Sequence, residues 1–184
     1  SPKNFLGDCS IVIWTTTPWT IPANRALAYN SDIQYSVIEI NSNNSFDSKK
    51  IVVASELSED LLKRCEIKKF TILKNFKGID FKGTICSHPL KRLGFNQKIP
   101  MLDASFVNLE QGTGIVHCAP SHGPDDFNLC LKNNIQSNYT VDNSGYYTDE
   151  IPHFNKVHIF KADKLVIEEL KKEKKLLQSD ILNH

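Results

Sequence analysis

Two stretches of this sequence hold most of its candidate chemistry. Trp14-Thr-Thr-Thr-Pro-Trp-Thr-Ile-Pro-Ala-Asn24 supplies a run of hydroxyls. Gly112-Thr-Gly-Ile-Val-His-Cys-Ala-Pro-Ser-His-Gly-Pro-Asp-Asp126 supplies two imidazoles, a thiol and two carboxylates. Pro124 can open a helix, because proline is tolerated where the first N–H has no intrahelical partner, and Asp126 then falls in the first turn. The positive end of the helix dipole favours an ionised carboxylate there, suited to holding a substrate ammonium. The plainer reading is that Asp125 and Asp126 only complement that dipole.

His117 lies in the β-like run Gly114–Cys118. Strand neighbours point to opposite faces, so His117 and Cys118 cannot both line one cavity, whereas His117 shares a face with Ile115. A histidine so placed is either a hydrogen-bonded structural residue or part of a site. Thr15, Thr16 and Thr17 are good strand residues. Three in sequence before Pro18 also put at least one hydroxyl on each face, and hydroxyls both donate and accept.

Other constellations carry less. Cys118, His122 and Cys130 are zinc-ligand types, but their spacing fits no paired-ligand pattern and lacks an evident fourth partner, so no metal is expected. Ser121, His122 and Asp125 have triad composition, crowded into five positions where triad geometry is rare. The turn Gly112-Thr-Gly114 lacks a P-loop lysine and does not lead into a helix, which argues against phosphate binding.

The elements that must position these groups read as mainly β. Ser10–Thr17 is an apolar, β-branched run that Pro18 and Pro22 stop. Further β-like runs are Gln34–Ile40, Ile51–Ala54, Glu66–Lys74, Gly83–Cys86, Phe106–Leu109 and Gly114–Cys118, which together imply a barrel or sandwich. Three helices are expected: one behind a Ser55 cap with Leu57, Leu61 and Cys65 in a stripe, one from Pro124 with Phe127 and Leu131 on one face, and one over Lys161 to Leu177. In the last, Ala162, Val166, Leu170 and Leu177 form the apolar stripe and the lysines a solvated face. Asn41–Lys50 is polar and reads as a mobile hairpin loop.

Composition bounds the rest. The 184 residues suit one domain, and 40% hydrophobic residues suffice for a core. Lys plus Arg number 22 against 21 Asp plus Glu, so no global positive field draws nucleic acid. Five cysteines without a C-x-x-C pair read as free thiols in a reducing compartment. The start resembles no signal peptide and no stretch is long enough to span a membrane, so a soluble, intracellular protein is expected. The missing initiator Met and the abrupt end at His184 suggest a segment of a longer chain.

Both motif segments, and nearly the whole chain around them, resemble the editing domain (connective peptide 1) of isoleucyl-tRNA synthetases, class I enzymes. The Trp-Thr-Thr-Thr-Pro-Trp-Thr form is the isoleucine one; leucine relatives carry Thr-Thr-Arg-Pro-Asp-Thr there and valine relatives Arg-Pro-Glu-Thr. The resemblance implies an α+β, mainly β fold with a barrel-like core and a few peripheral helices, spanning residues 1–184 as one editing domain. It further implies hydrolysis of wrongly charged tRNA, chiefly valine on the isoleucine tRNA. Asp126 then binds the α-amino group, Thr16 and Thr17 orient ester and water, and Trp14, Thr15 and Asn24 contact substrate. His117 limits side-chain room, and Cys118, where many relatives carry threonine, packs. The signatures His-Ile-Gly-His and Lys-Met-Ser-Lys-Ser of the synthetic half are absent from this sequence, so ATP would serve only that other half and the editing domain needs no cofactor. Implied partners are the tRNA acceptor end and the rest of a synthetase chain, with no membrane, in a cytoplasmic monomer. Two other classes stay open: a tRNA-docking module without hydrolysis, and a free-standing deacylase.

Overall fold

Valine- and isoleucine-rich runs build the strands, because β-branched side chains pack well on a pleated surface. The computed structural model describes residues 3–41 and 46–181. In chain order its strands are β1 (Ser10–Ile11), β2 (Ala26–Tyr29), β3 (Gln34–Ile40), β4 (Lys50–Ala54), β5 (Phe70–Lys77), β6 (Ile85–Ser87), β7 (Lys98–Asp103) and β8 (Val116–Cys118). The helices are α1 (Ser58–Arg64), α2 (Pro124–Lys132) and α3 (Ile159–Lys172). One sheet runs β1-β4-β3-β5 and the other β6-β7-β2-β8. The β1–β4 and β2–β7 pairs are parallel and the other pairs antiparallel.

The mainly β character holds, but the core is two four-stranded sheets and not a closed barrel among the described residues. Their facing sides share one apolar cluster, in which Leu27, Tyr29, Ile99 and Met101 meet Tyr35, Val37, Val52, Ala54 and Phe76. A second cluster joins α3, through Ala162, Val166 and Leu170, to Ile21, Ala23 and Tyr147.

Several local expectations change. The run Ser10–Thr17 is in the ladder only at Ser10–Ile11, extended by a hydrogen bond from Val12 N to Val52 O. Beyond it the Thr15 hydroxyl accepts from Thr17 N at 3.0 Å, so a side chain takes the donor a strand would have used. Phe106–Leu109 is a loop in which Val107 N bonds back to Ala104 O. Two strands escaped the sequence reading: β2 is buried at every position and shows no alternation, and β7 contains Pro100.

The first helix proper begins at Ser58 after a 3₁₀ turn, and no side chain caps it; the Ser55 hydroxyl instead meets Ser36 at 2.7 Å. On α2 the buried residues are Leu129 and Cys130, while Phe127 and Leu131 face solvent, because the neighbours are the small Ala26, Ala28 and Cys118. Helix α3 is shorter than expected, starting where His158 Nδ1 accepts from Phe160 N. Leu177 lies beyond it and packs on the cluster of Ile38, Ile40, Ile51 and Leu62. Of the expected loop Asn41–Lys50, residues 42–45 lie outside the described residues, and Phe46 is buried in that same cluster. No described helix is long and apolar enough to cross a membrane.

Candidate functional site

The two motif segments meet although nearly ninety residues separate them. The Thr113 hydroxyl donates to Val12 O at 2.7 Å, and the Thr113 carbonyl accepts from Ala54 N at 2.8 Å. The chain passes so close here that Gly114 (φ 73°) has no room for a side chain: a Cβ would lie 2.4 Å from the Ala54 Cβ. On the other side, Thr20 Oγ1 lies 3.0 Å from His117 Nε2. The 3₁₀ segment Pro18–Ala23 that carries Thr20 is anchored to α3 by Trp19 N donating to Asp163 at 2.8 Å, and to the loop before α3 by Tyr147 OH donating to Trp19 O.

Between these clamps lies an open cavity of about 320 Å³. Trp14, Thr15 and Thr16 of the first segment and Ile115, His117 and Asp126 of the second border it, with Gln111 and Asn108 also on the lining. Among the described residues that line it Asp126 is the one charged side chain, and no lysine or arginine contributes. Thr17 and Asn24 do not line it. The Thr17 hydroxyl sits 3.3 Å from that of Thr15, and Asn24 is buried with an Oδ1 that has no protein partner.

Asp126 accepts from the backbone N–H of Ala119 at 2.9 Å. Burial pushes its pKa above the ordinary carboxylate value, the Ala119 bond pulls it down, and the Asp125 charge adds a further push upward. The first-turn position expected to favour ionisation is therefore outweighed by desolvation. His117 is buried, and its pKa is lowered to about 4 by burial first and then by the nearby His88 and His122. The ring is neutral at physiological pH and a poor base there.

The weaker constellations do not assemble. The Ser121 hydroxyl pairs with Ser137 and Asn138, and His122 Nε2 lies 2.9 Å from the Thr140 hydroxyl. Burial raises both the Cys118 and Cys130 thiols, the latter to about 11, so neither supplies a ready thiolate. Among the described residues no group of three His, Cys, Asp or Glu could hold a metal. Sequence reasoning missed Thr20 and Thr113. Both are buried threonines whose hydroxyls bond across the fold, and a threonine's type alone does not signal that.

The fold is that of the editing domains of aminoacyl-tRNA synthetases. The chain belongs to the family described as leucyl-tRNA synthetase, editing domain, which matches residues 26–176. Its relatives include the isoleucine–tRNA ligase of Pelagibacter ubique, 59% identical over 97% of this chain and 20% of that protein. The isoleucine–tRNA ligase of Gluconobacter oxydans is 42% identical over 88% of this chain and 17% of that protein. The chain thus spans about a fifth of the curated relatives it matches. In structure it is similar to the Plasmodium knowlesi cytosolic leucyl-tRNA synthetase editing domain, with TM-score 0.66 and 12% identity over 94% of this chain and 84% of that one.

Proposed function

We propose that this chain is one editing domain of an isoleucine-type synthetase and hydrolyses the ester that joins valine wrongly to the isoleucine tRNA. The observation that carries this is the charge of the cavity: one carboxylate, flanked by hydroxyls, with no cation on the lining. A free amino acid brings an ammonium and a carboxylate, and the second would find no partner here. An aminoacyl ester has only the ammonium, so Asp126 suffices to hold it. The need is physical too, since a synthetic pocket rejects a substrate one methylene smaller by only ~1–3 kcal/mol.

In this reading Asp126 anchors the ammonium, and Thr16 with Thr15 and Trp14 borders the ester. Thr17 and Asn24 act from behind this lining, Thr17 by supporting the Thr15 turn. His117 limits the depth open to the amino-acid side chain. Water attacks the carbonyl carbon, the carbon–oxygen bond to the ribose breaks, and the leaving ribose oxygen takes a proton while valine departs as a carboxylate. With His117 neutral and weakly basic, the rate rests on positioning and on hydrogen bonds to the developing oxyanion. The product carboxylate then faces Asp126 as a like charge, which favours release.

The partners proposed are the tRNA acceptor end and the rest of the synthetase, in a cytoplasmic monomer without a metal or other cofactor in this domain. Deacylation of valyl-tRNA by this chain and by the full synthetase is the test. Hydrolysis by the full protein far above that of the chain alone fits an editing domain fed by the whole enzyme. Equal rates favour a free-standing deacylase, and no hydrolysis by either leaves only a docking module.

A further inference from the structure

Aromatic rings gather on the surface at the start of α3, outside the cavity lining. Phe160 is 89% exposed and Tyr146 43%, and the imidazole of His158 joins them. The Tyr146 and His158 ring centroids are 4.9 Å apart with the planes at 87°, and those of His158 and Phe160 are 4.8 Å apart at 50°. Backbone contacts fix this row. His158 Nδ1 accepts from Phe160 N at 3.2 Å, Ile159 N donates to Gly145 O at 2.9 Å, and Tyr146 forms a β-bridge with His158. Gly145 permits the close approach, since at its φ of 84° a Cβ would lie 2.8 Å from His158 Nε2. Single exposed apolar side chains need no explanation, but a fixed row of rings left open to solvent marks a surface that meets a partner.

Charge and position name the partner. Lys164 lies one turn beyond Phe160 on the same face of α3, with Lys161 next to Phe160 and Lys156 shortly before the helix. All three lysines are exposed, and none has an ion-pair partner among the described residues. The carboxylates of Asp142 and Asp163 are taken up by backbone N–H groups, of Ser144 and Tyr146 for the first and Trp19 for the second. The rings also share a scaffold with the cavity: Asp163 and Tyr147 hold the backbone of Trp19, three residues after the lining residue Thr16.

We propose that Tyr146, His158 and Phe160 form a stacking platform for an unpaired base of the tRNA 3′ end, with Lys161 and Lys164 meeting its phosphates. This rests on the editing reading, which brings a single-stranded RNA end to the cavity. Every base has a π-face, so aromatic rings flanked by cations hold such a strand without reading its sequence. The platform then orients the incoming strand, while Asp126 is left to hold the ammonium.

Photo-cross-linking of the intact synthetase carrying Phe160→p-benzoylphenylalanine, mixed with uncharged isoleucine tRNA, tests the contact. The expected product joins residue 160 to the unpaired 3′ nucleotides. A cross-link to the synthetase's own chain or to the paired part of the tRNA, or no cross-link at all, overturns the proposal. In deacylation of valyl-tRNA by the intact synthetase, Phe160→Ser should raise KM about tenfold, the scale of one base stacked on a ring. Phe160→Trp, which keeps an aromatic face, should restore the wild-type KM, and Ile181→Ser, at a position 91% exposed and outside the row, should leave it unchanged. A wild-type KM in Phe160→Ser, or an equal rise in Phe160→Trp, overturns the stacking role. If the wild type hydrolyses no valyl-tRNA, the editing reading fails, and the cross-link, which needs no turnover, still decides whether the platform meets RNA.

Discussion

Replacing Asp126 in two ways separates its charge from its structural bond. In Asp126→Ala the backbone N–H of Ala119, a residue only 1% exposed, loses the acceptor it now has at 2.9 Å. An orphaned buried donor costs about 1–3 kcal/mol, and in a chain of this size each kcal/mol moves Tm by roughly 2–4 °C. Asp126→Asn keeps an amide oxygen for that N–H and removes the charge. Because burial raises the pKa of Asp126, ionisation works against the folded state: the stabilising, protonated form is lost as pH rises through the raised pKa. Asn, which never ionises, should therefore match or exceed wild-type Tm at neutral pH.

Activity should fall in both variants, since no other described lining residue carries a negative charge to pair with an ammonium. A charge-assisted hydrogen bond contributes about 1.5–3 kcal/mol, and at 1.36 kcal/mol per decade kcat/KM for valyl-tRNA should drop roughly 10- to 150-fold. Paired thermal unfolding and deacylation kinetics at pH 7.5 check this. A wild-type rate in folded Asp126→Asn would refute the charge argument, and an equal loss of Tm in both variants would refute the Ala119 bond.

The pH profile follows from the same shift: the anion is the binding form, so kcat/KM should start to fall on acidification at a higher pH than an ordinary carboxylate would give. An acid limb at the usual carboxylate value would contradict it. His117→Ala should admit isoleucine and hydrolyse isoleucyl-tRNA while valine clearance is largely kept; a base role would instead cut valine hydrolysis by ~10²–10⁴. A valine amide should inhibit better than free valine, whose carboxylate meets no cation on the lining, and calorimetry giving the opposite order would sink the ester argument. Dialysis against a chelator should leave deacylation intact; loss with recovery on adding zinc would show a metal site.

Sequence by itself was enough for the mainly β class, for β3 and β4, and for a helix starting at Pro124, because β-branched runs and proline positions act locally. It also singled out the two segments whose residues share the cavity. Strand β2 stayed invisible because burial on both faces erases alternation, and the strand expected through Thr17 dissolved because a threonine hydroxyl competes with the ladder. Only the tertiary structure decided which hydroxyls border the cavity, that Asp126 is more desolvated than its helix position suggests, and that Thr20 reaches His117. Those depend on contacts between residues 97 and 101 positions apart, closed by Thr20 and Thr113, and local propensity holds no record of such distances.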